Sequence, residues 1–263
     1  MGIRNSYDEG IFCWVELATS DPTAAKQFYG QLFNWSFQDF PMEDGSPYSM
    51  AFKGDRSTAA LYGLTSEMCD RNLPPHWDSY ISVKDLDSTL QRWQAHSGTV
   101  IKDTFEVTEY GRMAVVQDPT GAVVSLWQAG THIGAGVVNE VNTFCWTELQ
   151  TRDAGKAAEF YKSVFGWQIE VEENPPYYVT CQVNGHMNCG MFDMDKAGLP
   201  AEIPPNWTVY FNVENLDKAI EQVQQMGGKL LMETKAIDVG RFVMVSDPQG
   251  AVVTIMELTV VDD

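Results

Sequence analysis

Apolar residues fall in two rhythms along this chain, one of period two and one of three to four, and the two alternate. Residues 12–17 alternate and are rich in strand formers, which predicts a β-strand. Ser20-Asp21-Pro22 then supplies an N-cap followed by proline in a first helical turn. Ala25, Phe28, Tyr29, Leu32 and Phe33 follow at three- and four-residue steps, a stripe that faces a sheet. Residues 48–52 and 59–64 are expected strands. A second strand and helix begin at residues 80–83, with Asp85-Leu86-Asp87 at the helix start, Leu90 and Trp93 on its apolar face and Gly98 as its stop. Residues 112–116 and 122–127 then read as two strands joined by the turn Asp118-Pro119-Thr120-Gly121.

The whole pattern occurs twice. Phe12-Cys13-Trp14-Val15-Glu16-Leu17 returns 132 residues later as Phe144-Cys145-Trp146-Thr147-Glu148-Leu149. Phe28-Tyr29, Phe33 and Trp35 return as Phe160-Tyr161, Phe165 and Trp167. Trp77, Tyr80 and Leu86-Asp87 return as Trp207, Tyr210 and Leu216-Asp217, and Gly121-Ala122-Val123-Val124 as Gly250-Ala251-Val252-Val253. Such self-similarity over a whole half marks a tandem duplication. In the second half, residues 178–183 followed by Asn184-Gly185 read as a hairpin. The joint between the halves lies in residues 129–141, where AGTHIGAG carries the glycines of a linker, and the expected organisation is a first domain over 1–130, a linker over 131–141 and a second domain over 142–263. The fold class is α+β: two tandem domains, each of two βαβββ modules. A helix covers one face of each module's sheet and leaves the other bare, so two modules pair their bare faces into a curved mixed sheet around a cleft for a small molecule.

Composition narrows the partners. Asp and Glu total 36 against 17 Lys and Arg, a net charge of −19 that would repel a nucleic-acid backbone or an anionic lipid surface. No stretch approaches the roughly 20 apolar residues of a membrane helix, and the N-terminus lacks a signal-peptide core. Cys13, Cys69, Cys145, Cys181 and Cys189 show no metal-like spacing and are odd in number, so they read as reduced thiols in a cytoplasmic protein. A small-molecule ligand is the expected partner, with neither nucleic acid nor membrane, in a monomer or a homodimer.

The opening strand followed by Ser20-Asp21 and the run FYGQLFNW, then V-x-D-L-D, Gly111-Arg112 and DPTGAVVSLW, resembles the vicinal oxygen chelate superfamily, the glyoxalase, bleomycin-resistance and dioxygenase group. The resemblance covers residues 12–258, twice over. It implies the paired-module fold and a range of activities that includes lyases, dioxygenases and drug-sequestering proteins. In metal-holding members a His stands seven residues before the S-D aspartate, a second His five residues before the valine of the later module, and a Glu seven residues after the DPxG aspartate. The resemblance places Trp14, Asp78 and Ser125 there in the first half and Trp146, Thr208 and Thr254 in the second. The remaining ligand falls within 59–64 or 189–193, where Asp193 is the carboxylate. These residues call for no metal and no cofactor, since a catalytic divalent site needs three or more converging N or O ligands.

With the family register, Phe12, Trp14, Glu16, Asp78, Tyr80, Ser82, Val123, Ser125 and Trp127 line the first cleft. Phe144, Trp146, Glu148, Thr208, Tyr210, Asn212, Val252, Thr254 and Met256 line the second. Glu16 and Glu148, two residues beyond a tryptophan on one strand, point inward, and desolvation suits a carboxylate for acid/base work. The alternative is a structural role, accepting from backbone or from Arg112 or Arg241. Trp14, Trp127 and Trp146 serve equally as core or as pocket wall. His76, His96, His132 and His186 do not recur between the halves and read as surface residues, with His76 near Asp78. Three functional readings stand: a metal-free small-molecule-binding protein, an enzyme of glyoxalase-lyase or other type with Glu16 or Glu148 as base, and a protein in which one half alone is active.

Overall fold

The computed structural model describes residues 2–42, 44–172 and 178–259; the outermost ends of the expected domains, residues 1 and 260–263, lie outside these. The first half runs β1 (Phe12–Thr19), α1 (Pro22–Phe33), β2 (Ser36–Pro41), β3 (Pro47–Lys53), β4 (Arg56–Gly63), a short α2 (Ser66–Asp70), β5 (His76–Ser82), α3 (Leu86–Ala95), β6 (Thr99–Val107), β7 (Gly111–Gln117) and β8 (Val123–Ala129). The second half runs β9 (Phe144–Thr151), α4 (Ala154–Phe165), β10 (Gln168–Glu172), β11 (Tyr178–Val183), β12 (His186–Asp193), β13 (Asn206–Asn212), α5 (Leu216–Gln225), β14 (Lys229–Leu230), β15 (Lys235–Ile237), β16 (Gly240–Ser246) and β17 (Val252–Leu258).

The halves form separate sheets. The first is β2-β3-β4-β1-β5-β8-β7-β6 and the second β10-β11-β12-β9-β13-β17-β16-β14, with β15 added to β16. In each, the first strands of the two modules pair antiparallel at the centre, β1 with β5 and β9 with β13, while each module closes on itself through a parallel pair. This is the two-domain α+β architecture that the duplicated pattern implies.

The helices form as their capping residues dictate. Asp21, Asp85, Asp153 and Asn215 each accept from a backbone N–H in the first turn of α1, α3, α4 and α5. The Asn184-Gly185 turn between β11 and β12 has both residues at positive φ, as a two-residue hairpin requires.

The helix-covered faces meet between the domains. Phe211 of β13 packs on Phe33, Trp35 and Trp77 with centroids 4.8, 5.3 and 5.1 Å apart. Trp93 of α3 packs on Phe160 and Tyr161 at 4.6 and 5.8 Å. Two reciprocal hydrogen bonds tie the DPxG turns across this seam. Tyr29 donates to Asp247 at 3.0 Å and Tyr161 donates to Asp118 at 3.1 Å. Trp35 and Trp167 are packing residues of the same seam, donating to the carbonyls of Asn142 and Gly10 at 2.8 and 3.0 Å. With this seam on one side of each sheet, the opposite face is left for a site.

One expectation of the strand register fails. Phe12 does not line the cleft: its ring lies 4.7 Å from Trp207 and 6.1 Å from Trp167, in the seam. The register of β1 against β5 shifts between Phe12 and Trp14, and a shift of one residue turns every side chain before it to the other face. β9 shifts against β13 at the matching place, between Tyr210 and Phe211, which moves the pairing of Phe144 out of the simple alternation.

Candidate functional site

β1 and β5 bring Glu16 and Asp78 side by side as register partners, and β1 and β4 set Glu16 opposite Ala60. That small neighbour leaves room for Tyr48, which reaches from β3 and donates to Glu16 Oε2 at 2.7 Å. Tyr80 donates to Glu16 Oε1 through a short bond, and Trp14 Nε1 donates to the Tyr48 hydroxyl at 3.2 Å. Glu16 thus ends a chain of phenol and indole donors while only 7% exposed, and among the described residues no Lys or Arg lies within ion-pair distance of it. Burial raises its pKa from 4.5 to about 7. The Tyr80, Tyr48 and Trp14 bonds work against the rise and the negative Asp78 adds to it.

Arg112 and Arg241 do not hold these carboxylates. They pair instead with Asp87 at 3.2 Å and Asp217 at 2.7 Å on the rims. The structural alternative for Glu16, a bond from Arg112, is therefore not how the residue is held.

His76 sits at the mouth with Nε2 3.5 Å from Asp78 Oδ2. Desolvation would lower its pKa, but the hydrogen bond and charge of Asp78, with the Pro74 carbonyl, carry it from 6.5 up to about 9. Ser125, 4% exposed, pairs in register with Tyr80, and Trp127 stands 6.5 Å from the Tyr80 ring.

His132 corrects the reading of the four histidines as surface residues. Its ring packs edge-on against Trp14 at 4.6 Å and against Trp127 at 5.9 Å, and Trp127 Nε1 donates to its carbonyl at 2.9 Å. Burial holds it neutral, with a pKa lowered from 6.5 to about 4.

The second domain repeats the core of this arrangement. Tyr210 donates to Glu148 at 3.0 Å, Tyr178 is a second hydrogen-bond partner of Glu148, and Trp146 Nε1 donates to Tyr178 at 3.3 Å. Gly190 stands opposite Glu148, and a Cβ there would lie 1.9 Å from the Tyr178 hydroxyl. Glu148 and Trp146 keep part of their surface open to solvent, where Glu16 and Trp14 are buried. Glu148 is still surrounded densely enough for desolvation to raise its pKa, against the bonds from Tyr178, Tyr210 and Gln150. Where the first domain has His76 and Asp78, the second has Asn206 and Thr208, an uncharged pair bonded at 3.0 Å. Thr254 and Met256 are buried on β17.

Two open concavities lie elsewhere. One of about 260 Å3 runs past Asp8, Glu9, Lys84 and Gln168 between the domains, and one of about 370 Å3 lies at the β2–β3 edge. Their charged groups stay at the surface, so the buried carboxylates mark the candidate site instead. Tyr48 and Tyr178 were missed in the sequence, although they recur at the same spacing as Trp77 and Trp207.

Both repeats match a known family model, described as the Glyoxalase/Bleomycin resistance protein/Dioxygenase superfamily, over residues 11–126 and again over 143–255. The chain belongs to this superfamily. It is 36% identical over 259 residues to CFP32 of Mycobacterium bovis, named as a proposed glyoxylase, with 97% of each chain covered. It is 27% identical to the anthracycline biosynthesis protein DauV of Streptomyces sp. strain C5, covering 95% of this chain and 94% of that protein. Among solved structures it resembles the Mn(II)-bound glyoxalase from Novosphingobium aromaticivorans, with a TM-score of 0.64 at 13% identity over 97% of this chain and 86% of that one. It also resembles the 2,3-dioxygenase LapB from Pseudomonas sp. KL28, with a TM-score of 0.65 at 12% identity over 95% and 93%. At such identities these structures report the fold alone.

The donor set at the superfamily's metal positions does not fit a catalytic divalent ion. The first domain offers an indole, a carboxylate and a hydroxyl at Trp14, Asp78 and Ser125, and the second an indole and two hydroxyls at Trp146, Thr208 and Thr254. Asp193 is taken up in a turn, accepting from the Lys196 N–H at 3.0 Å. Among the described residues no three His, Cys, Asp or Glu side chains stand close enough to share an ion.

Proposed function

We propose that this superfamily member binds a small aromatic or hydrophobic molecule in aromatic-walled clefts that work without the superfamily's metal centre. The observation that carries the reading is the occupation of the metal-ligand positions by indole and hydroxyl groups, with Asp78 the single carboxylate among Trp14, Asp78, Ser125, Trp146, Thr208 and Thr254, beside a glutamate held by two tyrosines. A pocket of aromatic walls with a few convergent polar groups is what small-molecule sites are made of. Relatives named for anthracycline biosynthesis and as a glyoxylase both belong to small-molecule chemistry, which supports the class of ligand.

The pKa of Glu16, near 7, supports a second reading, that the first cleft does acid/base chemistry. An ionised Glu16 takes a proton from a bound substrate and, once protonated, returns it, while Tyr48 and Tyr80 hold the carboxylate in place. Trp14, Asp78, Tyr80, Ser125 and Trp127, and in the second cleft Trp146, Thr208, Tyr210, Thr254 and Met256, are the residues proposed to face the ligand, and Glu148 is the second cleft's candidate base.

Metal analysis of protein purified without chelator tests the first reading, and a divalent metal at one equivalent per domain would overturn it. Turnover of a methylglyoxal–glutathione adduct, tested in wild type and in Glu16→Gln and Glu148→Gln, addresses the second. If turnover is present and both variants retain it, the acid/base assignment is wrong.

A further inference from the structure

We infer that His132 is a gate on the first cleft: its imidazole fills the place of a flat aromatic ligand against Trp14 and Trp127, and the cleft opens when this side chain swings out. The inference rests on the small-molecule reading of this cleft and adds to it the way in.

The first cleft is full as it stands. Trp14, Glu16, Tyr80, Ser125 and Trp127 are between 3% and 7% exposed, and His132 Nε2 is itself shut off from solvent. Among the groups that close it, the imidazole comes from outside the sheet, on the segment joining the domains. It meets both indoles edge-on, 4.6 Å from Trp14 and 5.9 Å from Trp127. Trp14 donates to Tyr48 and Tyr48 to Glu16, so the covered indole leads to the buried carboxylate.

The backbone that carries this ring is anchored, whereas the side chain is free to turn. Thr131 and His132 donate to the carbonyls of Glu109 and Tyr110 at 3.0 and 3.2 Å, and Ala135 and Gly136 to those of Cys13 and Ser57 at 2.8 Å each. Trp127 Nε1 holds the His132 carbonyl at 2.9 Å. Gly134, at φ +110°, passes so close to β1 that a Cβ would lie 2.4 Å from the Cys13 carbonyl oxygen. Yet Thr131 is exposed and His132 and Ile133 are half-buried, so the stretch runs along the surface with the imidazole turned inward from it. Rotation about the Cα–Cβ bond from one staggered well to another carries the ring outward and breaks none of these backbone bonds.

The inward position is poised. Contact with two indoles holds the imidazole in, but Nε2 has no hydrogen-bond partner there, and water would supply one outside. Edge-on aromatic contact and the loss of a hydrogen bond by a buried group are similar in size and opposite in sign. A near balance of that kind lets a ligand shift the population by a modest difference in affinity. A flat ring without a polar edge makes the same indole contacts and leaves no nitrogen unpartnered, so it displaces the imidazole. Glu16 and Asp78 stand nearby, which selects against an anion. The ligand class is therefore an uncharged aromatic molecule. Trp146 and Glu148 already keep surface open to solvent, so the second cleft serves as the reference within the same chain.

The test titrates toluene into the full chain and reads each cleft by its own indole signals in ¹⁵N-tryptophan spectra, Trp14 and Trp127 for the first and Trp146 for the second. His132→Ala, which removes the gate, should lower the Kd at the first cleft by roughly tenfold, the change when the open form goes from about one-tenth of the population to all of it. His132→Phe, which fills the place with a ring that has no unpartnered nitrogen, should raise that Kd above the wild-type value. Both variants should leave the Trp146 response as it is in the wild type. A residue that touched the ligand instead of making way for it would weaken binding on truncation. A Kd in His132→Ala equal to or above that of the wild type, read from moving Trp14 and Trp127 signals, therefore overturns the gate and leaves the small-molecule reading intact. One Kd shared by the wild type and His132→Phe overturns it as well. If toluene moves the Trp14 and Trp127 signals in neither the wild type nor His132→Ala, the small-molecule reading of this cleft falls and the gate falls with it.

Discussion

The two clefts descend from one pattern and keep the same central motif, a glutamate held by two tyrosines with a tryptophan behind them, yet they differ in how far it is withdrawn from water. Glu16 and Trp14 are 7% and 3% exposed, whereas Glu148 and Trp146 are half-buried. The first cleft adds charge at its mouth through His76 and Asp78 and a lining ring from His132, while the second has Asn206 and Thr208 at the mouth. The lesson is that duplication preserved the hydrogen-bonded carboxylate and allowed its surroundings to diverge. Desolvation, rather than the motif, sets each glutamate's chemistry.

The largest expected effect separates the two tryptophans. Trp14→Ala empties a closed site and should cost about 3–5 kcal/mol of stability in urea unfolding, the usual range for a fully buried large aromatic. Trp146→Ala, at a half-buried site, should cost clearly less. Equal losses would mean that the clefts do not differ in closure as their exposures indicate.

A smaller effect is expected at the residues that make room for the tyrosines. Gly190→Ala places a methyl group where the Tyr178 hydroxyl lies, and the ring must move aside and release Glu148, at about 1–3 kcal/mol for an overpacked site. The first domain already has Ala60 at the matching register position, so Ala60→Gly should leave the Tyr48–Glu16 bond in place. A crystal structure of Gly190→Ala with Tyr178 unmoved would show that the two domains seat this tyrosine alike.

The finest distinction is in pH dependence. The pKa of Glu16 is raised in the folded state from 4.5 to about 7, so the folded protein holds this proton more tightly than the unfolded chain. The resulting stability is fully present below pH 4.5 and is lost as pH rises through about 7. Glu16→Gln should therefore flatten the fall in melting temperature between pH 5 and pH 8, and Glu148→Gln should do so by less. His76 contributes in a higher window. Its pKa is also raised, so its contribution is present below 6.5 and lost through about 9, and Asp78→Thr should remove that loss. If Glu16→Gln and wild type share one pH profile, the carboxylate is not desolvated as its surroundings imply.

Much of this was legible in the residue order. The strands and helices expected within residues 12–33, 48–64, 80–98 and 112–127, with their caps, follow from local alternation and capping chemistry, whereas β2, α2, β6 and β10 have no such local signature; the repeat pairs Glu16 with Glu148 and Tyr80 with Tyr210. Tyr48 and Tyr178 were visible as recurring strand residues, but nothing local says that β3 and β11 send them across a small neighbour toward β1 and β9. Phe12 was misplaced because the register shift beside Cys13 has no signature in the alternation of the strand itself. His132 was misread because glycines around it announce a linker, and only its packing shows that the linker runs along β1.

Sequence alone determined the class of fold, its duplication and the two inward carboxylates, because periodicity, capping and repeats act over a few residues and need no partner from elsewhere in the chain. Tertiary structure decided what surrounds those carboxylates: which tyrosines reach them, which cleft is shut from water, and which histidine lines it. Those outcomes depend on strands and a linker brought together from distant parts of the chain, where one residue of register turns a side chain from a cleft to the domain seam.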